Sequence, residues 1–585
     1  MHPIMQIYIN RFAKIPTKSW DYFFTQLAKE DLAKLPYINQ VEKFCRRLAQ
    51  AIEKGEKICI YSDYDTDAVT ATATMYWGLL ELGVKRRNLS FYAPDRFREG
   101  YGLNVEAAAS LAKEHDLLIT VDCGINSCAE ASAVKAAGGE LIITDHHALT
   151  GTIPECTAVV NCRLNVLPLT LPVDNEFGLN LEKLTLLPET VTGVGVAWFT
   201  LVWLAYYLRD VEHRDVSPKV LNSLLPYVAI GTIADCQSIV EPVNRLLVKT
   251  GLTLLQSPVA HPGLEELTKQ TGLREKTTQG YSLSSQDLAF TYAPILNASG
   301  RIAHASKAIQ TLITADAGEA ATQAQELLRI NENRKKLVKS ILAEVESKAA
   351  QQKEAKVIWL QGEWNKGVIG LLASRLVNQY EKPVIVVTKH EDLAAASLRA
   401  PEGYHLPDTM QNFTDLFVKS GGHPGAAGFE ARFDSLEAIR QGFETHLPEG
   451  VTNPYTDSTA KTTLPESLLP IIPHRARILL KTTPETDLLK EVLRVDPYGQ
   501  DFPYPELVFA LPHFHVRFLG KDSNHAKLTA ATATVTIFNL SPALKTYLLE
   551  ADTQKKQLWV GAKVSQNTWA NRTKLELIAN NYWLA

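Results

Sequence analysis

Acidic residues and histidines follow three predicted strands in this chain. Asp63, Asp65 and Asp67 come directly after the apolar run of KICIYSDYDTDA, Asp122 ends the strand-like run of ITVDCG, and Asp145 precedes two histidines in IITDHH. Two carboxylates about 5 Å apart repel by roughly 3 kcal/mol at an effective dielectric of about 20, so a cluster of them needs a cation. Carboxylates with a histidine suit Mg²⁺ or Mn²⁺. The spacing therefore predicts a divalent-metal site.

Simpler interpretations of these acids explain less of the pattern. A lone aspartate at a strand end usually caps the next helix, but a fourth stretch, GTIADCQS, adds Asp235, and one strand end carries tandem histidines. An EF-hand loop is excluded, because Ala68 stands where that loop needs glycine and Thr74 where it needs glutamate. The DTDAV stretch also resembles the nucleophile motif of haloacid dehalogenases, which leaves the Asp-His-His unexplained.

The elements around these acids indicate an α/β fold. Short β-branched runs alternate with alanine-rich stretches from about residue 56, which predicts βαβ units and a parallel sheet covered by helices. In such a sheet ligands bind beyond the carboxyl ends of the strands, so the acids should converge. A proline-free stretch at 315–352 predicts one long helix, after which KVIWL and KPVIVV begin a smaller α/β unit. Short strands near the C-terminus predict a β-barrel.

These patterns divide the chain into six predicted parts. They are an N-terminal segment 1–50, an α/β domain 51–314, a connecting helix 315–352, a smaller α/β domain 353–447, a linker 448–467 and a barrel 468–585. The linker prediction depends on the Pro, Thr and Ser content of PEGVTNPYTDSTAKTTLPES.

Composition indicates a cytoplasmic protein without a membrane segment. The seven cysteines form no CxxC pair, which is typical of reduced thiols. The longest nearly apolar run, VGVAWFTLVWLAYYL at 194–208, is too short for a membrane span and predicts a buried helix. A net charge of −4 does not indicate nucleic-acid binding, and the basic run at 329–339 predicts a solvated helix face.

Taken together, the acidic motifs resemble those of a known superfamily. DYDTDA, VDCG, TDHH and GTIAD, in this order, are similar to the four motifs of the DHH phosphoesterases. PDRFREGYGLN, GVGVAW, LNASGRI and GGHPGAAGF resemble segments of the RecJ family of single-strand-specific 5′→3′ exonucleases. The resemblance runs from about residue 50 to the C-terminus and implies a DHH domain, a DHH-associated domain and an OB-fold. Ala68 stands where the RecJ motif usually has glycine, and Tyr61 where several DHH branches have histidine.

The resemblance implies a role for each residue of the acidic motifs. Two divalent cations, Mn²⁺ or Mg²⁺, would bind Asp65, Asp67, Asp122, His146 and Asp235. Asp122 would lie between the ions and His147 would face the scissile phosphate, with Asp63 and Asp145 supporting them.

The resemblance also implies a pocket for the terminal 5′ phosphate. Its residues would be Arg96, Asn297, Arg301, Ser397, Arg399, Gly421, Gly422 and His423. From the residues alone, SGGHPGAAG is either a loop whose backbone N–H groups cradle phosphate or a plain tight turn. Trp569, in the predicted barrel, is either a platform that stacks bases or a core residue.

The function that the resemblance implies is a metal-dependent 5′→3′ exonuclease on single-stranded DNA, releasing 5′-mononucleotides in DNA repair and recombination. It would be a monomer, with a single-strand-binding protein and a helicase as candidate partners. One alternative is a DHH hydrolase of short oligoribonucleotides or cyclic dinucleotides, which the predicted long-strand platform disfavours. Another is an inactive DHH replication scaffold, which the presence of all five implied ligands disfavours.

Overall fold

A computed structural model describes residues 2–13, 36–100, 102–164, 186–448, 476–480, 482–520, 523–530, 533–540, 542–554, 557–569 and 572–584. Its strands are β1 Ile58–Tyr61, β2 Leu89–Tyr92, β3 Leu117–Val121, β4 Glu140–Asp145, β5 Ala158–Asn161, β6 Ile358–Gly362, β7 Val384–His390, β8 Leu393–Arg399, β9 Lys419–His423, β10 Ala426–Ala431, β11 Arg477–Leu479, β12 Glu506–Leu511, β13 His515–Leu519, β14 His525–Thr529, β15 Thr534–Ile537, β16 Leu558–Trp569 and β17 Arg572–Leu584. The predicted linker lies outside the described residues except for position 448.

Helices surround these strands. The α-helices of eight or more residues are Pro3–Ala13, Val41–Lys54, Thr66–Glu81, Val105–Glu114, Cys128–Ala136, Gly193–Tyr206, Leu225–Ala234, Pro242–Leu255, Pro262–Gln270, Ala293–Ile302, Ser306–Ile313, Ala317–Ala350, Ile369–Tyr380, Leu436–His446, Thr486–Val495 and Pro542–Gln554. The run predicted as a buried helix at 194–208 forms most of Gly193–Tyr206, every residue of which is buried.

The first sheet is parallel and has the strand order β2-β1-β3-β4-β5. Its strands are short apolar runs, as expected of a sheet covered on both faces, and β1, β3 and β5 are buried throughout. The chain changes direction across the sheet between β1 and β3, and ligands bind at such a switch point. The predicted α/β fold with a parallel sheet is confirmed, and the acidic motifs lie at its carboxyl edge.

The long helix Ala317–Ala350 joins two units, as predicted. It begins at Asp316, whose Oδ1 accepts a hydrogen bond from Glu319 N (2.8 Å), and its 34 residues span about 50 Å at 1.5 Å per residue. Its first half packs on Ala293–Ile302, and its second half packs on Ile369–Tyr380 in the smaller unit. A side chain in the middle of this helix therefore lies between the two units.

The smaller unit has a mixed sheet of order β6-β7-β8-β10-β9. Strands β6 and β7 are parallel, and the other neighbours are antiparallel. The glycine-rich segment forms the exposed edge strand β9 and a tight two-residue turn to β10, which agrees with the second of its two predicted alternatives. The small residues in β10 allow close antiparallel pairing with Gly421 and Gly422.

The C-terminal unit has a seven-stranded sheet of order β11-β12-β16-β17-β15-β14-β13, built around the long strands β16 and β17. Buried contacts join it to the first unit. The guanidinium of Arg245 donates to the carbonyls of Val495 and Pro497, and Ser285 donates to both oxygens of Asp496. The C-terminal sheet is therefore held in a defined position against the first unit.

Two composition-based expectations can be compared with the structure. None of the seven cysteines is joined in a disulfide in the structure. None of the helices among the described residues combines the length and the apolar character that crossing a membrane requires.

Candidate active site

Asp67 lies at the base of the site, on the first turn of the helix that follows β1. Asp65 caps this helix by accepting a hydrogen bond from Ala68 N (3.0 Å). The carboxylate of Asp67 is buried and accepts hydrogen bonds from Gly193 N (2.8 Å) and Val194 N (3.0 Å). These amides begin the helix Gly193–Tyr206, so its positive end faces the carboxylate.

Asp122 and His146 meet Asp67 from the ends of β3 and β4. His146 Nε2 lies 3.1 Å from Asp122 Oδ1, 3.9 Å from Asp67 Oδ2 and 3.8 Å from Asp235 Oδ2. One ligand atom each from Asp67, His146 and Asp235 lies within 4.8 Å of the others, and the same holds for Asp122, His146 and His147. Folding thus brings four of the five predicted ligands together with His147. We name these five residues the acid cluster: Asp67, Asp122, His146, His147 and Asp235.

Asp65 is the predicted ligand that remains outside these two groups. Its Oδ1 is engaged in the helix cap, and its charge raises the pKa of Asp63 and of Asp235. It therefore lies beside the acid cluster, and its role as a ligand stays a prediction.

His147, a member of the acid cluster, forms a hydrogen-bonded pair with Asp145, which lies outside the cluster. His147 Nδ1 donates to Asp145 Oδ1 (2.8 Å), which also accepts from the backbone amides of His146 and His147, while Asp145 Oδ2 accepts from Ile125 N. Burial lowers the pKa of His147, but the hydrogen bond and charge of Asp145 outweigh it and raise the pKa to about 9. Asp145 therefore supports the histidines, while His147 carries a positive charge at neutral pH.

The acid cluster has the electrostatics of a cation site. Burial, followed by the charge of a neighbouring carboxylate, raises the pKa of Asp67 and of Asp122 well above the usual range. Burial and the charge of His147 lower the pKa of His146 to about 3, which leaves a neutral imidazole. Among the described residues, Asp122 Oδ1 has no hydrogen-bond partner although it is buried. A divalent cation would relieve the repulsion and engage this oxygen, so the donor set fits the group.

Asp63 follows β1, two residues before Asp65. It is buried, and burial together with the charge of Asp65 raises its pKa to about 8. Its Oδ1 has no hydrogen-bond partner among the residues that the structure describes. The supporting role of Asp63 stays a prediction.

Gly193 contributes to the site without a side chain, and its role was missed from the sequence. A Cβ added at this position would lie 2.5 Å from Asp122 Oδ1, which is closer than real Cβ contacts allow. Asp122 itself has a φ of 59°, a left-handed conformation that is uncommon for aspartate. The GVGVAW segment carried the signal, since glycine at a helix start permits close approach, but its partner is remote in sequence.

Arg96, Arg301, Arg334 and Arg399 form a second cluster, which we name the arginine cluster. Burial, followed by the charges of Arg96, Arg399 and Arg334, lowers the pKa of Arg301 to about 10. Within the described part of the chain, none of the four forms an ion pair with a carboxylate, and the buried Nε of Arg334 has no hydrogen-bond partner. Such a concentration of positive charge would favour a bound anion, and the predicted phosphate pocket stays a prediction.

Arg334 was missed because the basic run at 329–339 was interpreted as a solvated helix face. Its neighbours Arg329 and Lys335 fit that interpretation, since both are exposed and paired with glutamates of the same helix. Arg334 differs because it points into the junction between the units. The sequence of the run carried no signal that separates it from its neighbours.

Ser397 and Asn297 lie beside the arginine cluster. Arg399 Nη1 donates to Ser397 Oγ (3.1 Å) and to the carbonyl of Leu398 (2.7 Å). Asn297 Oδ1 accepts from Thr66 N (3.0 Å) and stands one helical turn before Arg301. Asn297 therefore connects the arginine cluster to the helix that carries Asp67.

His423 faces the acid cluster from the smaller unit. Burial, the charge of His147 and the charge of Arg163 lower its pKa. Arg163, a residue not singled out from the sequence, donates from Nε to the carbonyl of His146 (2.7 Å). His423 and Arg399 pair with the same residue, Ala426, from opposite sides of β10. Their predicted membership of one phosphate pocket stays a prediction.

Three further predicted contacts remain untested by geometry. Gly421 and Gly422 lie on the exposed strand β9 beside His423. The side chain of Trp569 lies outside the described residues, and only its backbone, at the end of β16, is placed.

Family models match three parts of the chain. The DHH family N-terminal domain matches residues 57–232, the DHHA1 domain matches 352–447 and the RecJ OB domain matches 481–581. These matches confirm the predicted class, a parallel-sheet domain followed by a smaller α/β domain and an OB-fold.

Curated relatives and a solved structure are similar over most of the chain. A single-stranded-DNA-specific exonuclease RecJ of Salmonella typhimurium is 31% identical over 72% of this chain and 71% of its own. The RecJ of Bacillus subtilis is 30% identical over 91% of this chain but only 62% of its own. The crystal structure of RecJ from Thermus thermophilus in complex with Mn²⁺ is 26% identical with a TM-score of 0.71, covering 100% of this chain and 78% of that chain. On this identity, and with its predicted motifs in one cleft, the chain belongs to the RecJ family.

Proposed function

We propose that this chain is a metal-dependent exonuclease that degrades single-stranded DNA from its 5′ end. The observation that carries the proposal is the proximity of two opposite clusters, one of buried acids and one of arginines without carboxylate partners. Asp65 lies close enough to both to shift the pKa values of Asp235 and Arg301. A cation site beside an anion site suits the cleavage of a phosphodiester near a phosphorylated end.

The acid cluster would hold the catalytic cations. Asp67, Asp122, Asp235 and His146 would be the ligands, with Asp65 completing the set, and Mn²⁺ or Mg²⁺ fits their oxygen-rich chemistry. When bound, such ions supply a hydroxide at neutral pH and neutralise charge on the phosphate.

The protein's own groups orient this chemistry. The amides of Gly193 and Val194 fix both oxygens of Asp67, so the carboxylate cannot rotate away. Asp145 fixes the ring of His147 and keeps the proton on Nδ1. The positive charge of His147, beside Asp122, attracts a phosphate, and His423 approaches the same place from the smaller unit.

The arginine cluster supports degradation of the strand from its 5′ end. Arg399 is held by Ser397 and Leu398, and the N-terminus of the helix Ile369–Tyr380 lies beside it, since a Cβ on Gly370 would be 3.2 Å from Arg399 Nη2. Guanidinium groups and a helix N-terminus both favour phosphate. A terminal 5′ phosphate seated there would present the next phosphodiester to the acid cluster, releasing 5′-mononucleotides.

The C-terminal unit supports long single strands as substrate. An OB-fold binds single-stranded nucleic acid along a groove, and this one is held against the first unit by Arg245 and Asp496. A hydrolase of dinucleotides or of cyclic dinucleotides would have no use for such a groove. The candidate partners stay a single-strand-binding protein and a helicase, because each would deliver single strands in repair and recombination.

The same proposal keeps the predicted domain boundaries and compartment. The helix Ala317–Ala350 and the family matches support a DHH domain followed by a DHH-associated domain and an OB-fold. The bounds 51–314, 315–352, 353–447, 448–467 and 468–585 stay a proposal, and the first of these boundaries falls inside the helix Val41–Lys54. We place the monomeric enzyme in the cytoplasm, where its DNA substrate would lie in a bacterium.

Digestion of end-labelled DNA tests the proposal. With Mn²⁺ or Mg²⁺ present, a single strand bearing a 5′ phosphate should release mononucleotides from that end, while the same strand with a blocked 5′ end and a blunt duplex should persist. EDTA should stop the reaction. Equal digestion of the open and the 5′-blocked strand would contradict the polarity, and digestion of dinucleotides without digestion of long strands would favour the alternative hydrolase.

A further inference from the structure

Phe290 is an aromatic side chain on the protein surface. It is 78% exposed, the largest exposure among the large hydrophobic residues that the structure describes. It lies in the five-residue π-helical turn Leu288–Tyr292, where Leu288 and Tyr292 point into the core. π-Helical turns inside longer helices are frequent at functional sites.

Phe290 shares a helix face with residues of the proposed substrate pocket. Between Tyr292 and Gly300 every residue is buried except Pro294 and Asn297, which are partly exposed. The next partly exposed residue is Arg301. Phe290, Pro294, Asn297 and Arg301 follow one another at intervals of four, three and four residues, which places them on one face. At about 1.5 Å per residue, Phe290 lies about 10 Å along the helix axis from Asn297 and about 16 Å from Arg301.

The other end of this segment is fixed to the C-terminal unit. Ser282 N donates to Gln566 Oε1 (3.1 Å), and Gln566 Nε2 donates back to the carbonyl of Ser282 (3.2 Å). Ser285 donates to Asp496 from its amide and its hydroxyl. Phe290 therefore lies between the OB-fold and the arginine cluster, on the element that connects them.

We propose that Phe290 is a stacking platform for a base of the single strand, between the OB-fold and the active site. The inference rests on the proposed function, which gives the strand a path past this helix face. A single ring whose neighbours Ala289 and Thr291 are only partly exposed offers one flat apolar surface, which suits one base. Every base has such a face, so the contact would add affinity without sequence preference.

Kinetics on two substrates test the proposal. With the 5′ ends phosphorylated and Mn²⁺ present, Phe290→Ala should raise KM for a 20-nucleotide strand by about 5-fold to 100-fold, the range expected of one stacked base. The variant should keep the wild-type kcat on the 20-nucleotide strand. It should also keep the wild-type KM for a dinucleotide, which is too short to reach Phe290. Phe290→Trp should keep wild-type KM, and Phe433→Ala, which removes an exposed ring from the smaller unit, is the matched control.

A binding measurement locates the base. Single strands carrying 2-aminopurine at successive positions from the 5′ end should show quenched fluorescence at one position with the Asp122→Asn enzyme. This quenching should be lost when Phe290→Ala is added. Unchanged KM for the 20-nucleotide strand with Phe290→Ala, or an equal loss on both substrates, would overturn the stacking role. A wild-type enzyme that digests neither substrate would instead overturn the proposed function.

Discussion

The acid cluster and the arginine cluster are opposites in charge and in construction. The acid cluster is assembled mainly at the carboxyl edge of one sheet, where Asp122 and His146 follow adjacent strands. The arginine cluster takes Arg96 and Arg301 from the first unit, Arg334 from the long helix and Arg399 from the smaller unit. One site is therefore built by a single domain, and the other exists only where two units meet.

The pKa shifts of the two clusters mirror each other. In the acid cluster, burial and like charge raise the pKa of Asp122, and in the arginine cluster they lower the pKa of Arg301. Each shift reports charge that the fold leaves uncompensated. Under the proposed function, the acid cluster would bind a cation and the arginine cluster a phosphate.

Removal of the Asp122 carboxylate should have the largest effect on activity. Asp122→Asn takes away the carboxylate at the centre of the acid cluster, and kcat on single-stranded DNA should fall by at least about 100-fold. Millimolar Mn²⁺ should raise the Tm of wild type, because the ion binds the native state, and this rise should shrink in the variant.

Asp487→Asn is the matched control, since this residue is an exposed aspartate on the helix Thr486–Val495 of the C-terminal unit. It should keep both the activity and the Mn²⁺-dependent rise in Tm. A variant at Asp122 that retains more than about a tenth of wild-type kcat would break the assignment of the acid cluster.

Removal of an arginine should act on binding more than on chemistry. Arg399→Ala should raise KM for a 5′-phosphorylated strand by about 10-fold to 100-fold, as expected when a charge-assisted hydrogen bond to phosphate is lost. The effect on a strand with a 5′ hydroxyl should be smaller. Arg375→Ala, an exposed arginine of the same unit paired with Glu346, should change neither KM. A fall in kcat at unchanged KM would mean that Arg399 does not hold the terminus.

Arg334 tests whether the arginine cluster depends on the connecting helix. Arg334→Ala should raise KM for the 5′-phosphorylated strand by about 3-fold to 10-fold, less than Arg399→Ala, because its burial is less complete and it supplies charge at longer range. Arg329→Ala, five residues earlier on the same helix and paired with Glu326, is the control. Equal behaviour of the two variants would restore the interpretation of this run as a solvated face.

Asp496 shows what a buried acid does outside both clusters, and its removal should affect stability and leave activity unchanged. Burial raises its pKa to about 6, although Ser285 donates two hydrogen bonds to it. The folded state therefore holds the proton more tightly than the unfolded chain, so this residue's contribution to stability falls as pH rises from about 4 to about 6. Between about pH 4 and about pH 6, wild type should lose up to about 2–3 kcal/mol of unfolding free energy through this residue. Asp496→Asn should remove this loss, so the Tm of the variant should fall less with rising pH than that of wild type. An identical pH profile would contradict the shift.

The sequence by itself determined the acid cluster almost completely. Strand periodicity predicted the parallel sheet, and the carboxyl ends of parallel strands must share one edge, so Asp67, Asp122 and His146 had to converge. The resemblance to the DHH motifs then indicated that this edge of the sheet binds divalent cations and hydrolyses phosphodiesters. The same local logic predicted the buried helix over 194–208 and the long helix, whose bounds differ from the structure by only two residues at each end.

Only the tertiary structure decided the contacts between remote segments. The approach of Gly193 to Asp122, the place of His423 over the acid cluster and the inclusion of Arg334 among the arginines depend on how helices and units pack. A periodic pattern predicts which face of a helix or strand is buried, but it does not predict which other element packs on that face. Packing brings together residues tens or hundreds of positions apart, and no local pattern in this sequence encodes those pairings.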